Sequence, residues 1–159
     1  MLKWLWLTAL VIGLDQASKL LVDHHMELYE SIKLIPFFQL TYVRNTGAAF
    51  SFLAQAGGWQ RWFFISLSLV ASIAIAYWLT QIPKDKPWEA AAWALVLGGA
   101  LGNLIDRILY GYVIDFLDAY YQPWHFPAFN IADSAITIGV GMLLLDVVLA
   151  SRHSNSRVG

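Results

Sequence analysis

The sequence predicts an all-α membrane protein: a four-helix transmembrane bundle with a small β segment on its outer side. Four apolar stretches, 4–22, 62–79, 88–110 and 131–150, each supply about 20 residues, which at ~1.5 Å per residue matches a hydrocarbon core of ~30 Å. The chain is 58% hydrophobic and only 13% charged, with mean hydropathy +0.56, far too apolar for a water-soluble domain of 159 residues. Lys3, Lys84, Lys86, Arg152 and Arg157 fall at one end of an up-and-down bundle, whereas 111–130 carries no Lys or Arg and 23–61 few for its length. By the positive-inside rule the first end is cytoplasmic, with both termini there, and the long connections lie outside. The whole of 1–159 then reads as a single integral membrane domain.

Taken in order, the first stretch follows Lys3 and has the look of a secretory signal, but Asp15, Gln16 and Lys19 interrupt it and no small-x-small cleavage site follows, so it is expected to remain as a helix. The outer segment, about 32–54, is rich in β-branched and aromatic residues broken by Pro36, and reads as one or two short strands. Asn45-Thr46-Gly47 supplies a turn, and Ala48 to Leu53 a further strand or an apolar flap. Such a strand pair either cradles an extended or lipid-rich substrate or simply caps the bundle at the interface. Tryptophans at or near the ends of the apolar stretches (Trp4, Trp6, Trp59, Trp62, Trp78, Trp88) fit the interfacial belts. In the third helix, Gly98 and Gly102 have the small-xxx-small spacing that lets a neighbouring helix approach closely.

Composition excludes several kinds of chemistry. A formal net charge of -1 offers no basic surface for nucleic acid. Without cysteine there is no thiol catalysis and no thiolate metal site, and the four histidines lack the spacing of a zinc helix, so neither a metal nor a cofactor is expected.

What remains is carboxylate chemistry. Asp133 opens the fourth apolar stretch and Asp115 follows the third, so both belong at the outer membrane face. Asp133 also has a plain structural reading: after Pro127, Asn130 is a good N-cap and a carboxylate in the first turn favours the positive end of the helix dipole. Two carboxyls brought together in a low-dielectric setting share one proton near neutrality, the arrangement with which aspartic proteases activate water without metal or covalent nucleophile. Spacing alone leaves a proton-coupled transporter, or an assembly protein whose carboxylates only cap helices, as alternatives. Around the pair, Asp15 and Lys19 stack four residues apart as an internal ion pair. Asn103 and Arg107 are likewise four apart, and the arginine is expected to snorkel, to pair with Asp106, or to brace the loop bearing Asp115. Asp146 falls near the inner end of the fourth helix, away from the pair.

The sequence resembles the bacterial lipoprotein signal peptidases, the type II signal peptidases, in Leu14-Asp15-Gln16-Ala17-Ser18-Lys19, Arg44-Asn45-Thr46-Gly47-Ala48-Ala49-Phe50-Ser51, Gly98 through Arg107, Val113-Ile114-Asp115-Phe116 and Phe129-Asn130-Ile131-Ala132-Asp133-Ser134. These run in the family's order from the first helix to the last, with no departure at a motif position. The resemblance implies an aspartic endopeptidase of the cell inner membrane that removes the signal peptide of a diacylglyceryl-modified prolipoprotein just before its lipidated cysteine and is blocked by globomycin. It implies Asp115 and Asp133 as the catalytic pair near the periplasmic face. Asp15, Lys19, Asn45, Gly47, Asn103, Arg107 and Asn130 match the supporting polar positions. It also implies an extracytoplasmic β-cradle in the outer segment and a flexible outer helix at 111–121.

Overall fold

A computed structural model describes residues 2–47 and 58–155. A short 3-10 turn leads into helix α1 (Leu5–His25), followed by strands β1 (Ser31–Ile35) and β2 (Phe38–Asn45), helices α2 (Trp59–Gln81) and α3 (Pro87–Leu109), strands β3 (Val113–Tyr121) and β4 (Trp124–His125), and helix α4 (Ile131–Asn155). All four helices are long and apolar enough to cross a bilayer. Helices α1, α2 and α4 run a few residues past their predicted bounds at one end or both, and α3 is displaced by one residue, because helix length is set by capping as well as by lipid. Helix α3 starts with Pro87 in its first turn, where the missing N–H costs nothing, and α2 starts after Gly58, whose φ of 96° suits a glycine.

Helix α3 is the axis. Half of its membrane span is buried, against 17% for α2 and for α4, whose large apolar side chains are left to lipid. Its small residues permit this. A Cβ added at Gly98 would meet Val11 of α1 at 2.7 Å, and one at Gly102 would meet the Asp15 carboxylate at 2.6 Å and Ala132 of α4 at 3.3 Å. The small-residue spacing is therefore packing, as expected, but at Gly102 the group it admits is a charged side chain, which ties the spacing to the polar centre of the bundle. Gly139 returns the favour from α4, leaving no space for a Cβ beside the Ala92 carbonyl at 2.6 Å. Thr8 Oγ1 donates to the Ala94 carbonyl at 2.9 Å and fastens α1 to α3.

The strands form one antiparallel sheet in the order β1-β2-β3-β4, at the end of the bundle where α1 finishes and α4 begins. Strand β2 pairs with β3 from Phe38↔Ala119 to Asn45↔Val113, with a bulge between Leu40 and Val43 that sets Val43 opposite Asp115. The predicted 32–54 segment thus gives two strands; its portion 48–57, where a further strand or flap was expected, lies outside the described residues. The expected flexible outer helix at 111–121 is corrected: the stretch is β3, an inner strand buried from Val113 to Phe116. Its run of β-branched and aromatic side chains favours a pleated, packed strand over an exposed helix. Val22 and Met26 at the end of α1 pack against Tyr42, Ile114 and Phe116. The Tyr42 hydroxyl donates to Asp23 and accepts from Arg44 Nε at 2.9 Å, which locks β2 to that same helix end.

Candidate active site

Beneath the sheet, α1, α3 and α4 meet in a continuous polar network. Lys19 and Asp15 lie one turn apart, and the Lys19 ammonium is 2.7 Å from Asp15 Oδ2 and 2.9 Å from Asp106 Oδ2, with all three side chains at most 2% exposed. It also donates to Asn103 Oδ1 at 3.0 Å. The predicted Asp15–Lys19 pair is present, but it is a triad. Asp106 was expected beside its chain neighbour Arg107; it points elsewhere because adjacent residues on a helix face different directions, whereas Asn103 and Asp106, three apart, share a face. Gln16 joins the group by donating to Asp106 Oδ1 at 2.8 Å. Neither Asp106 nor Gln16 was singled out from sequence, and the shared face with Asn103 was the signal available for the former.

The triad is fastened to both aspartates of the predicted pair. Asp15 Oδ1 accepts the Ala132 backbone N–H at 2.9 Å, satisfying a free donor in the first turn of α4. Asp106 Oδ2 accepts the Ile114 N–H at 3.2 Å, one residue before Asp115. Asn103 uses both ends of its amide: Oδ1 faces Lys19, and Nδ2 donates to Asp133 Oδ1 at 2.8 Å.

Asn130 does the most bridging. It caps α4, accepting the Asp133 N–H at 2.9 Å while its own N–H donates to Asp133 Oδ2 at 3.2 Å, a reciprocal capping box. The helix-start reading of Asp133 is therefore real. At the same time Asn130 Nδ2 donates to Asp115 Oδ1 at 2.7 Å and to Asn103 Oδ1 at 3.1 Å. The other oxygen of Asp115 accepts from Asn45 Nδ2 at 3.0 Å. Asn45 Oδ1 in turn accepts the Gly47 N–H at 2.9 Å, the Asx turn that ends β2.

Arg107 neither pairs with Asp106 nor braces the loop bearing Asp115. Its guanidinium donates to the Gly47 carbonyl at 3.3 Å and to the Asn103 carbonyl at 3.3 Å, and lies over the Phe64 ring with 5.2 Å to the centroid. It holds the Asn45–Gly47 turn, and so acts on the donor to Asp115. All nine residues singled out from sequence thus fall into one connected group.

Asp115 and Asp133 both open on a cavity of about 720 Å³ that is also lined by Asn45, Asn103, Arg107 and, on its apolar side, Phe126 and Phe129. Burial, and then the charge of nearby Asp133, push the Asp115 carboxyl up from an ordinary 3.8 to about 7; hydrogen bonds from Asn45 and Asn130 and the charge of Lys19 oppose the rise. A carboxyl with that pKa holds a proton about half the time near neutrality, so it can give or take one there. Among the described residues no three His, Cys, Asp or Glu side chains are grouped as metal ligands.

A family model described as signal peptidase (SPase) II matches residues 7–149. A lipoprotein signal peptidase of Alteromonas mediterranea is 56% identical over 146 residues, covering 92% of this chain and 80% of the relative. That of Shewanella pealeana is 53% identical over 159 residues, covering 99% and 93%. A solved structure described as a bacterial membrane enzyme superposes with TM-score 0.82 at 34% identity, covering 94% of this chain and 89% of its own.

Proposed function

This chain belongs to the signal peptidase II family, and from that premise we propose that it is an aspartic endopeptidase in which Asp115 and Asp133 together activate water. It acts as one integral membrane domain of the bacterial inner membrane, with both termini cytoplasmic and the cavity near the periplasmic face. Its substrate is a prolipoprotein whose cysteine carries a diacylglyceryl group, and it cuts the signal peptide just before that residue. The observation that carries the reading is that two carboxyls from different elements open on one cavity while bonded to the same asparagine, with a proton affinity on Asp115 that suits pH 7.

The chemistry follows from one shared proton. The ionised carboxylate of the pair takes a proton from water as its oxygen attacks the scissile carbonyl carbon, and the protonated partner donates to the carbonyl oxygen. Collapse of the tetrahedral diol breaks the C–N bond as the carboxyl that took the water proton gives it to the departing amine, and the other carboxylate takes back the diol hydroxyl proton, which restores the one-proton state. Because the pair titrates as a unit, the proton belongs to both residues. Asn45, Asn103 and Asn130 fix the four oxygens without supplying charge. The apolar wall of the cavity suits acyl chains held in the outer leaflet, and surrounding lipid is the second partner.

The test is incubation of purified protein with a diacylglyceryl-modified prolipoprotein, with and without globomycin, followed by gel separation of precursor and product. Cleavage before the lipidated cysteine, blocked by globomycin and absent from Asp115→Asn and from Asp133→Asn, is expected. Wild-type rates in either variant would reduce the two aspartates to capping groups.

A further inference from the structure

Asp118 is three residues beyond Asp115 on β3, and the alternation of a strand turns it to the opposite face of the sheet, outside the cavity. It is only 4% exposed, yet the peptidase chemistry makes no use of it. Such a carboxylate is costly to bury unless its oxygens are bonded. Here Gln39 Nε2 donates at 2.7 Å and Thr41 Oγ1 at 2.9 Å, both from β2, and His125 Nδ1 of β4 lies 3.0 and 3.1 Å from the two oxygens. The His125 ring also stacks on Tyr120 at 5.3 Å between centroids.

The position of His125 gives this cluster its meaning. The next residues, Phe126, Pro127 and Ala128, form part of the cavity wall. Their backbone enters the wall from the two-residue strand β4, and the Phe126 N–H donates to the Ala119 carbonyl at 2.8 Å. The Phe126 ring meets Phe129 edge to face at 6.2 Å between centroids, while the backbone of Phe129 and the amide of Asn130 have bonds of their own. Phe129 exchanges backbone bonds with Leu117 at 2.8 and 3.0 Å, and Asn130 is tied to Asn103, Asp115 and Asp133. A clasp at His125 therefore acts on the wall and leaves the dyad's own supports in place.

We propose that Asp118 and His125 are a positioning pair that sets the 126–128 wall against the apolar part of the substrate, with Gln39 and Thr41 holding the fixed half of the clasp. The proposal rests on the peptidase reading of the cavity. It predicts a defect in binding without a defect in chemistry. His125→Ala raises KM for the lipidated substrate roughly five- to tenfold and leaves kcat within about twofold, and His125→Asn, whose amide reaches where Nδ1 stood, restores most of the loss. Asp118→Asn gives a smaller rise.

A second readout needs no activity. In residue-resolved hydrogen exchange on the full-length protein in detergent, His125→Ala speeds exchange of the Phe126 amide by about tenfold and leaves the Phe129 amide unchanged. Both results together support the clasp. Unchanged KM, unchanged Phe126 exchange, or a loss confined to kcat each overturns it, and does so while Asp115→Asn and Asp133→Asn remain inactive, so the failure is separable from that of the peptidase reading.

Discussion

Two pairs of carboxylates, all buried except the half-buried Asp133, are joined by one polar network in this molecule, and one cation separates them in kind. Asp15 and Asp106 close on the Lys19 ammonium at 2.7 and 2.9 Å, so each is paired with positive charge. Asp115 and Asp133 are met by the amides of Asn45, Asn103 and Asn130, neutral donors that fix oxygens without cancelling charge. The first group is a structural joint of α1, α3, α4 and β3. The second cannot easily hold two charges, and Asp115 is pushed up to about 7. Burial alone does not decide a carboxylate's proton affinity: Lys19 ion-pairs with Asp15 and Asp106, whereas neutral amides bond the oxygens of Asp115 and Asp133. Asn103 stands between the two groups, with one atom on Lys19 and another on Asp133, and keeps the lysine one residue away from the dyad.

The comparison can be broken from either side. The largest effect is on rate: Asp115→Asn or Asp133→Asn lowers kcat by about 10⁴-fold in the cleavage assay while the protein still purifies as a folded membrane protein. Lys19→Met does the reverse. It strands two buried carboxylates, costs about 3–5 kcal/mol, and shows first as loss of folded protein in a thermal-shift measurement.

A further prediction sets function against stability. The Asp115 pKa is raised on folding from 3.8 to about 7, so the folded state binds more protons than the unfolded chain between those values and stability falls as pH rises through that window. Above neutrality the penalty is on the order of 4 kcal/mol. Asp115→Asn removes it, so the inactive variant melts higher than wild type at pH 8, and the gap narrows toward pH 4. The smallest effect is at Gly102→Ala, whose Cβ would stand 2.6 Å from Asp15 Oδ2. Its cost, roughly 1–3 kcal/mol, appears as a lower Tm with no change in the pH dependence of cleavage, because it disturbs the joint and not the dyad.

Much of this was legible in the sequence because lipid imposes simple rules. Length and hydropathy give four spans, and connections poor in Lys and Arg give a common end for Asp115 and Asp133. The Asp15–Lys19 pair follows from helical spacing. Less legible was whatever depended on which strand or helix lies opposite. The residues of 111–130 read as a loop, and the helix at 111–121 is implied by the family resemblance alone; buried on both faces from Val113 to Phe116, β3 has no polar side to reveal. Pairing with Asp106 is one of three roles expected of Arg107 because they are neighbours in the chain, yet Asp106 pairs with Lys19 on another helix. The Asp118–His125 pair was missed for the same reason: its residues are seven apart across a hairpin that sequence alone did not register.

Infrared titration of the carboxyl groups locates the proton. Wild-type protein is expected to show a protonated-carboxyl band at neutral pH that fades as pH rises through about 7, and the double variant Asp115→Asn/Asp133→Asn is expected to lack it. A band that survives the double substitution unchanged would put the proton on another carboxyl, in the Asp15–Lys19–Asp106 group or at Asp118, and the shared-proton reading of Asp115 and Asp133 would fail.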